Sequence, residues 1–251
     1  MRETAACVVI GNEILSGKIA DSNSHYLAVM LRERGVALRK GWVVPDEFGE
    51  IIPVIREARD RFDWVFTSGG VGPTHDDITI EAIARALDRK LVVIPEIAAM
   101  LAPFADQPGH EARMRMALAP EGFFTVTDDA LRFPVIGVEN IFILPGVPEI
   151  FRQKVDALRF RFDGRPVALT NLFLDVLETT IAALLEEAVA SFEGVEIGSY
   201  PVMNAGDYSV KVTVEASDAT LVEQTVAFLL ERFEPAVVRR VERASTVVSR
   251  S

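Results

Sequence analysis

The sequence predicts an α/β fold with a mostly parallel sheet, followed by a smaller α+β domain. Two observations carry that expectation. Before residue 90 a strand, a loop and a helix recur three times, which calls for parallel strands joined by right-handed crossovers. After Gly164-Arg165-Pro166 the order becomes strand, helix, strand, strand, helix, strand. The expected domains are therefore residues 1–160 and 166–242.

Ala5 to Ile10 is a continuous apolar run, as suits a parallel strand buried on both faces. Gly11 permits the turn that ends it. Ser22 or Asn23 can cap a helix whose core stripe is Tyr26 or Leu27, Met30 and Leu31, and Gly35 stops that helix. Val36–Val44 is the second strand, closed by Pro45 and Asp46. The helix that follows puts Ile51, Ile55, Ala58 and Phe62 on one face. Pro53 requires either a start near Gly49, with proline in the first turn, or a kink.

The third unit is the most informative. Trp64–Phe66 is a short strand, and Gly69, Gly70 and Gly72 follow it with no side chains to keep an anion away from the backbone. Pro73 stiffens the loop, Thr74, His75, Asp76 and Asp77 close it, and Thr79 or Asp77 can cap the next helix. Ile80, Ile83, Ala84 and Leu87 recur at helical spacing. A glycine loop between a strand and a helix N-terminus is a phosphate-binding arrangement. Asp76 and Asp77 would repel a bare phosphate, so a divalent cation is expected between them.

Residues 95–122 read as helical pieces broken by Pro103, Pro108-Gly109 and Pro120; Arg113 and Arg115 could reach a phosphate, but a solvated helix face is their expected place. Ile141–Leu144 is a strand, and Pro145, Gly146 and Pro148 form a rigid loop after it. In the second domain the strands are Ala168–Leu174, Val195–Tyr200, Tyr208–Glu215 and Ala236–Arg240. The helices are Glu178–Ala190 and one capped by Ser217. That βαββαβ order is ferredoxin-like. The domain carries no glycine loop and no carboxylate cluster, so packing or assembly is its expected role. The terminal STVVSRS reads as a loose tail.

In a parallel sheet the ligand sits beyond the C-terminal ends of the strands. Three loops meet there, and each brings a carboxylate: Glu13 or Asp21, Asp46, and Asp76 or Asp77. Acidic residues also favour helix starts without any ligand. Composition narrows the ligand further. A net charge of −11 argues against a basic nucleic-acid surface, so phosphates would be held by backbone amides and metal. No apolar run reaches the roughly 20 residues of a membrane helix, and no secretory signal opens the chain. The single cysteine, Cys7, suits a buried thiol in a reducing cytoplasm. His25, His75 and His110 show no zinc-site spacing.

The stretches VIGNEILSGKIADSNSHYLA, VVPDE, TSGGVGPTHDDITIEAIA and ILPGVPE resemble the MoaB/Mog-type molybdopterin-binding domain in its CinA-like form. RFPVIGVENIFILPGVPEIF and IGSYPVMNAGDYSVKVTVE bring the resemblance closest to the molybdopterin-binding-like domain of eukaryotic FAD synthases. The resemblance implies a three-layer α/β/α sandwich. It places Gly69, Gly70 and Gly72 at pterin or nucleotide phosphates, Asp46 and Asp77 at metal-assisted chemistry, and Pro145 and Gly146 on the same cleft. Gly11, Glu13, Ser68 and Thr74 complete the expected ligand-binding set, and Asp46, Asp76 and Asp77 the metal set. Asn12 stands where many members carry aspartate or threonine. DDALRFPVIGVEN replaces the G-T-A-P-G segment of bacterial CinA proteins.

The expected activity is a pyrophosphatase that cleaves a nucleotide cofactor such as FAD or ADP-ribose with Mg, Mn or Co, by attack of an activated water on phosphorus. The alternatives are molybdopterin adenylylation and a binding module without turnover. The expected partners are a small nucleotide or pterin ligand and a second copy of the chain, most simply as a dimer, with no nucleic acid and no membrane.

Overall fold

The computed structural model describes residues 3–162, 164, 167–203 and 206–244. The expected boundary residues Arg165 and Pro166 and the tail from residue 245 lie outside the described residues. The chain divides into two compact units, Met1–Gly164 and Arg165–Ser251.

The first unit runs β1 (Thr4–Ile10), α1 (Asn12–Leu15), α2 (Asn23–Glu33), β2 (Ala37–Val44), α3 (Phe48–Arg61), β3 (Trp64–Ser68) and α4 (Thr79–Ala86). Then follow β4 (Leu91–Val93), α5 (Pro95–Leu101), α6 (His110–Arg115), β5 (Leu118–Pro120), β6 (Phe123–Val126), β7 (Val135–Val138), β8 (Ile141–Ile143) and α7 (Pro148–Leu158). Its six-stranded sheet has the order β2-β1-β3-β8-β7-β6. The first four strands are parallel, and β7 and β6 add an antiparallel edge.

Alternation along β1 explains the three layers. Ala6, Val8 and Ile10 enter one core with Ile51 and Ile55 of α3 and Ile83 of α4. Ala5, Cys7 and Val9 enter the other with Leu27 and Met30 of α2 and Phe151 and Val155 of α7. A strand buried on both faces must be apolar at every position, which is why it reads as a run. The Cys7 thiol is 1 % exposed. Burial pushes its pKa up to about 12, against a hydrogen bond from Ser24 that lowers it.

Several details differ from the sequence expectation. Residues 118–120 are not helical: they form β5, antiparallel to β4. β6 and β7 arise from the stretch with no assigned element. α3 starts at Phe48, near Gly49 as expected, but this leaves Pro53 in its second turn rather than its first. The site is exposed, so water can satisfy the Gly49 carbonyl that proline leaves without a donor. Neither Thr79 nor Asp77 caps α4. The Thr79 hydroxyl is taken by the Gly69 carbonyl at 2.9 Å, and Asp77 accepts from Thr74 instead. Ser22 occupies the N-cap position of α2 as expected but makes no side-chain capping bond; Asp21 supplies it, its Oδ1 accepting from the amides of Asn23 and Ser24.

The second unit comprises β9 (Ala168–Leu174), α8 (Glu178–Ser191), β10 (Glu196–Pro201), β11 (Val210–Ala216), α9 (Ala219–Arg232) and β12 (Val238–Ala244). Its antiparallel sheet runs β10-β11-β9-β12, the ferredoxin-like order. Leu172, Leu174, Val212 and Val214 pack with Ile181 and Leu185 of α8 and Val226 and Leu229 of α9 in one core. The cap of α9 is Asp218, not Ser217: its carboxylate accepts from the Thr220 amide at 2.9 Å.

Candidate functional site

The four parallel strands of the first unit end on one edge, and their loops are stitched together there. Gly11 donates its N–H to the Val44 carbonyl, and Gly69 donates to the Leu144 carbonyl, each at 3.1 Å. The Asn12 amide donates to Asp46 Oδ2 at 3.0 Å. Asn23 Nδ2 bridges two further loops, donating to Ser68 Oγ at 3.0 Å and to the Gly146 carbonyl at 2.9 Å.

Gly69 shows why the loop needs glycine. Its φ is +108°, and a Cβ there would lie 2.1 Å from the Ile10 carbonyl oxygen. The chain then turns through Gly70 so that Thr79 donates its amide back to the Gly70 carbonyl at 3.0 Å. Among the described residues nothing accepts the N–H groups of Gly70, Val71 or Gly72. Three successive amides without an acceptor are donors that an anion could use.

These residues open onto a cavity of about 820 Å³. Glu13, Ser68, Gly69 and Gly70 line it, as do Gly72, Asp77, Pro145 and Gly146. Its remaining wall is largely apolar, with Ile14, Val71, Ile97, Met116, Leu131 and Phe133. The chamber thus joins the glycine loop and its flanking polar groups to an apolar wall.

The expected acidic residues fall around that corner. Asp46 is not on the cavity wall but stands behind Gly70, whose Cβ position is 3.6 Å from Asp46 Oδ1. Asp77 stands beside Gly72, whose Cβ position is 2.7 Å from Asp77 Oδ2. Glu13 lies against Gly11 at 2.5 Å by the same measure. Asp76 and Thr74 are exposed on the rim. Burial raises the Asp46 pKa, the Asn12 amide opposes that shift, and the negative charges of Glu13, Asp76 and Asp77 add to it. Among the described residues no cation pairs with Glu13, Asp46 or Asp77.

An all-oxygen set carrying uncompensated charge suits a hard divalent cation. Among the described residues no three such side chains converge closely enough to hold one alone. Asp46 and Asp77 would supply the protein ligands, and phosphate oxygens and water the rest, as is usual for magnesium.

Other candidates fall away. Asp21 lines the cavity, but its Oδ1 is engaged by the amides at the start of α2. The Arg113 guanidinium is tied to the carbonyls of Phe104, Gln107 and Pro108, and Arg115 is exposed and off the cavity wall. His25 and His75 are exposed.

Two residues on the wall were missed in the sequence. Asn23 passed for a cap. Lys154 falls in the apolar stripe Phe151, Lys154, Val155, Leu158 of α7, and a lysine in such a stripe is the signal that could have flagged it. It is 9 % exposed, and its ammonium donates to the carbonyls of Phe133, at 3.1 Å, and Pro134. Burial lowers its pKa to about 8.

Comparison with known proteins shows the family. The family described as "Probable molybdopterin binding domain" matches residues 6–161, and the "FAD synthase, middle domain" matches residues 166–242. A protein of Archaeoglobus fulgidus is 36% identical, over 62% of this chain and 67% of its own. A "Probable FAD synthase" of Caenorhabditis elegans is 34% identical, over 63% of this chain but only 35% of its own length. A "CinA-like protein" of Citrifermentans bemidjiense is 34% identical, over 73% of this chain and 47% of its own. The chain therefore spans about a third to a half of these last two relatives. The crystal structure of CinA from Thermoplasma acidophilum, a protein described as of unknown function, superposes with a TM-score of 0.58 at 29% identity. It covers 64% of this chain and 98% of that one. With the glycine loop, the carboxylates behind it and the Pro145-Gly146 turn on one strand edge, the chain belongs to the molybdopterin-binding domain family of MoaB/Mog type, in its CinA-like form.

Proposed function

We propose that the first unit binds a nucleotide cofactor of the FAD or ADP-ribose type and hydrolyses its diphosphate with a divalent metal. The observation that carries this reading is the run of three unspent amides, Gly70, Val71 and Gly72, next to Asp46 and Asp77, which have no cation of their own. Amides alone suit any small anion. Carboxylates packed against them disfavour an anion unless a cation comes with it, so the pair selects a metal–diphosphate ligand.

In this reading the loop amides hold non-bridging phosphate oxygens and fix the phosphorus for in-line attack. Asp46 and Asp77 would hold Mg, Mn or Co, which when bound would supply charge neutralisation at the phosphates and a more acidic water. Ile97, Met116, Leu131 and Phe133 cover the ring system and keep bulk water from that end of the chamber. The test is incubation with FAD, ADP-ribose and other dinucleotides under each metal, with AMP as the product followed. AMP release that stops with chelator supports the reading; tight binding without any AMP turns it into a binding module.

A second reading is favoured by the family match at residues 6–161: the ligand is molybdopterin and the reaction its adenylylation. ATP-dependent product formation with molybdopterin would select it.

A further inference from the structure

Asn23 opens α2 and is 5 % exposed. Both of its side-chain hydrogens are spent, one on Ser68 Oγ and one on the Gly146 carbonyl. Because a carbonyl only accepts, the bond to Gly146 settles which end of the carboxamide is nitrogen. Asn23 Oδ1 is thereby left buried without a donor. Ser68, 2 % exposed, has given a lone pair to Asn23, and its own proton has no acceptor among the described residues. Both side chains line the cavity. Asn140 likewise donates to two carbonyls and keeps an unpaired Oδ1, but it lies off the cavity; Asn23 differs in lining the cavity beside Ser68.

We propose that Asn23 and Ser68 together read a neutral group of the ligand that both donates and accepts a hydrogen bond. Asn23 Oδ1 takes its proton, and the Ser68 hydroxyl donates to its lone pair. A sugar or ribityl hydroxyl has that character, and so has the N–H/C=O edge of a flavin or pterin ring. A phosphate, which at neutral pH offers acceptors, satisfies Ser68 and leaves Asn23 unpaired. The inference rests on the reading of the cavity as a nucleotide or pterin site.

The test is calorimetric titration of the wild type and Asn23→Leu, with magnesium present, using three probes. ADP-ribose brings sugar hydroxyls, pterin-6-carboxylate brings a lactam edge, and inorganic pyrophosphate brings acceptors. Asn23→Leu should weaken at least one of the first two roughly tenfold while pyrophosphate changes less than about twofold. The probe that loses affinity names the group being read. Equal weakening of all three would reduce Asn23 to a loop clasp and overturn the inference, as would no weakening at all. Wild-type binding of pyrophosphate alone would overturn it and leave the phosphate site standing, whereas no binding of any probe would fell the reading of the cavity itself. Should the variant fail to fold, the side-chain carbonyl ¹³C resonance of Asn23 in the wild type must move on saturation with ADP-ribose or pterin-6-carboxylate. An unmoved resonance would overturn the inference.

Discussion

Asp46 in the first unit and Asp175 in the second both follow the end of a strand, yet they are in opposite states. Asp175 accepts from Arg239 and from the Ser209 hydroxyl, and the Arg239 bond first, then Ser209, holds its pKa below the usual carboxylate range. Asp46 is half-buried among Glu13, Asp76 and Asp77, and its pKa is raised. Asp175 is thus neutralised within its own unit. The first unit keeps on one edge carboxylates that no cation neutralises among the described residues, with three amides and a carboxamide oxygen unpaired, at a cost in stability that the rest of the sandwich offsets. Function is legible in that difference, because a fold optimised only for stability would have paired those groups.

The largest effect should come from removing charge at that edge. Asp77→Asn keeps an oxygen to accept from Thr74, so the turn and the melting temperature should hold. Turnover should fall at least about a thousandfold, since a neutral amide is a poor ligand for a hard cation. Asp46→Asn should behave alike, and the double variant should be little worse than either if the two act as a unit. Parallel AMP assays and thermal melts check this. An Asp77→Asn protein with wild-type metal-dependent activity would erase the contrast with Asp175.

Backbone placement comes next. Gly69→Ala adds a Cβ 2.1 Å from the Ile10 carbonyl at a positive φ, and should cost the first unit about 4 kcal/mol in urea unfolding. Gly206→Ala in the second unit meets the same kind of φ, +86°, with nothing within 4 Å, and should cost about 1 kcal/mol. Equal costs would show that close approach of the loop to β1 is not what demands glycine.

Lys154 sharpens the comparison through pH. Its folded pKa of about 8 lies below its ordinary 10.5, so between those values the unfolded chain holds a proton that the folded chain has released. Stability of the first unit should therefore rise from pH 8 to 10.5, by up to about 3 kcal/mol, and the penalty should be fully present below pH 8. Urea melts of the wild type against Lys154→Met measure it. The same slope in both would remove Lys154 as its source.

The smallest effect belongs to the second unit. Asp218→Ala removes the cap on Thr220 and should cost about 1 kcal/mol, while Asp218→Asn should be close to neutral. A larger loss in chemical denaturation would mean that Asp218 does more than cap.

Much of this was readable in the chain. Strands buried on both faces announce themselves as apolar runs, and the glycine loop with its flanking strand and helix is local. The missed strands β4 to β7 have three or four residues each, too few for a period to emerge. The caps were misread because the Thr79 hydroxyl is claimed by a carbonyl ten residues back, a contact that propensity does not see. Asn23 was beyond reach for the same reason. Its partners lie 45 and 123 residues away, and its orphaned oxygen is defined by them.

The burial of Cys7 has a practical consequence. It is the single cysteine in the chain, at the centre of the first unit, with a thiol that is almost wholly protonated at neutral pH. A thiol reagent can reach it only when the sheet opens, so the rate of labelling is a clock for local opening of that unit alone. The second unit, having no thiol, stays silent in the measurement. Slower labelling on addition of metal and nucleotide would report ligand engagement in a protein that bears no dye, no tag and no mutation.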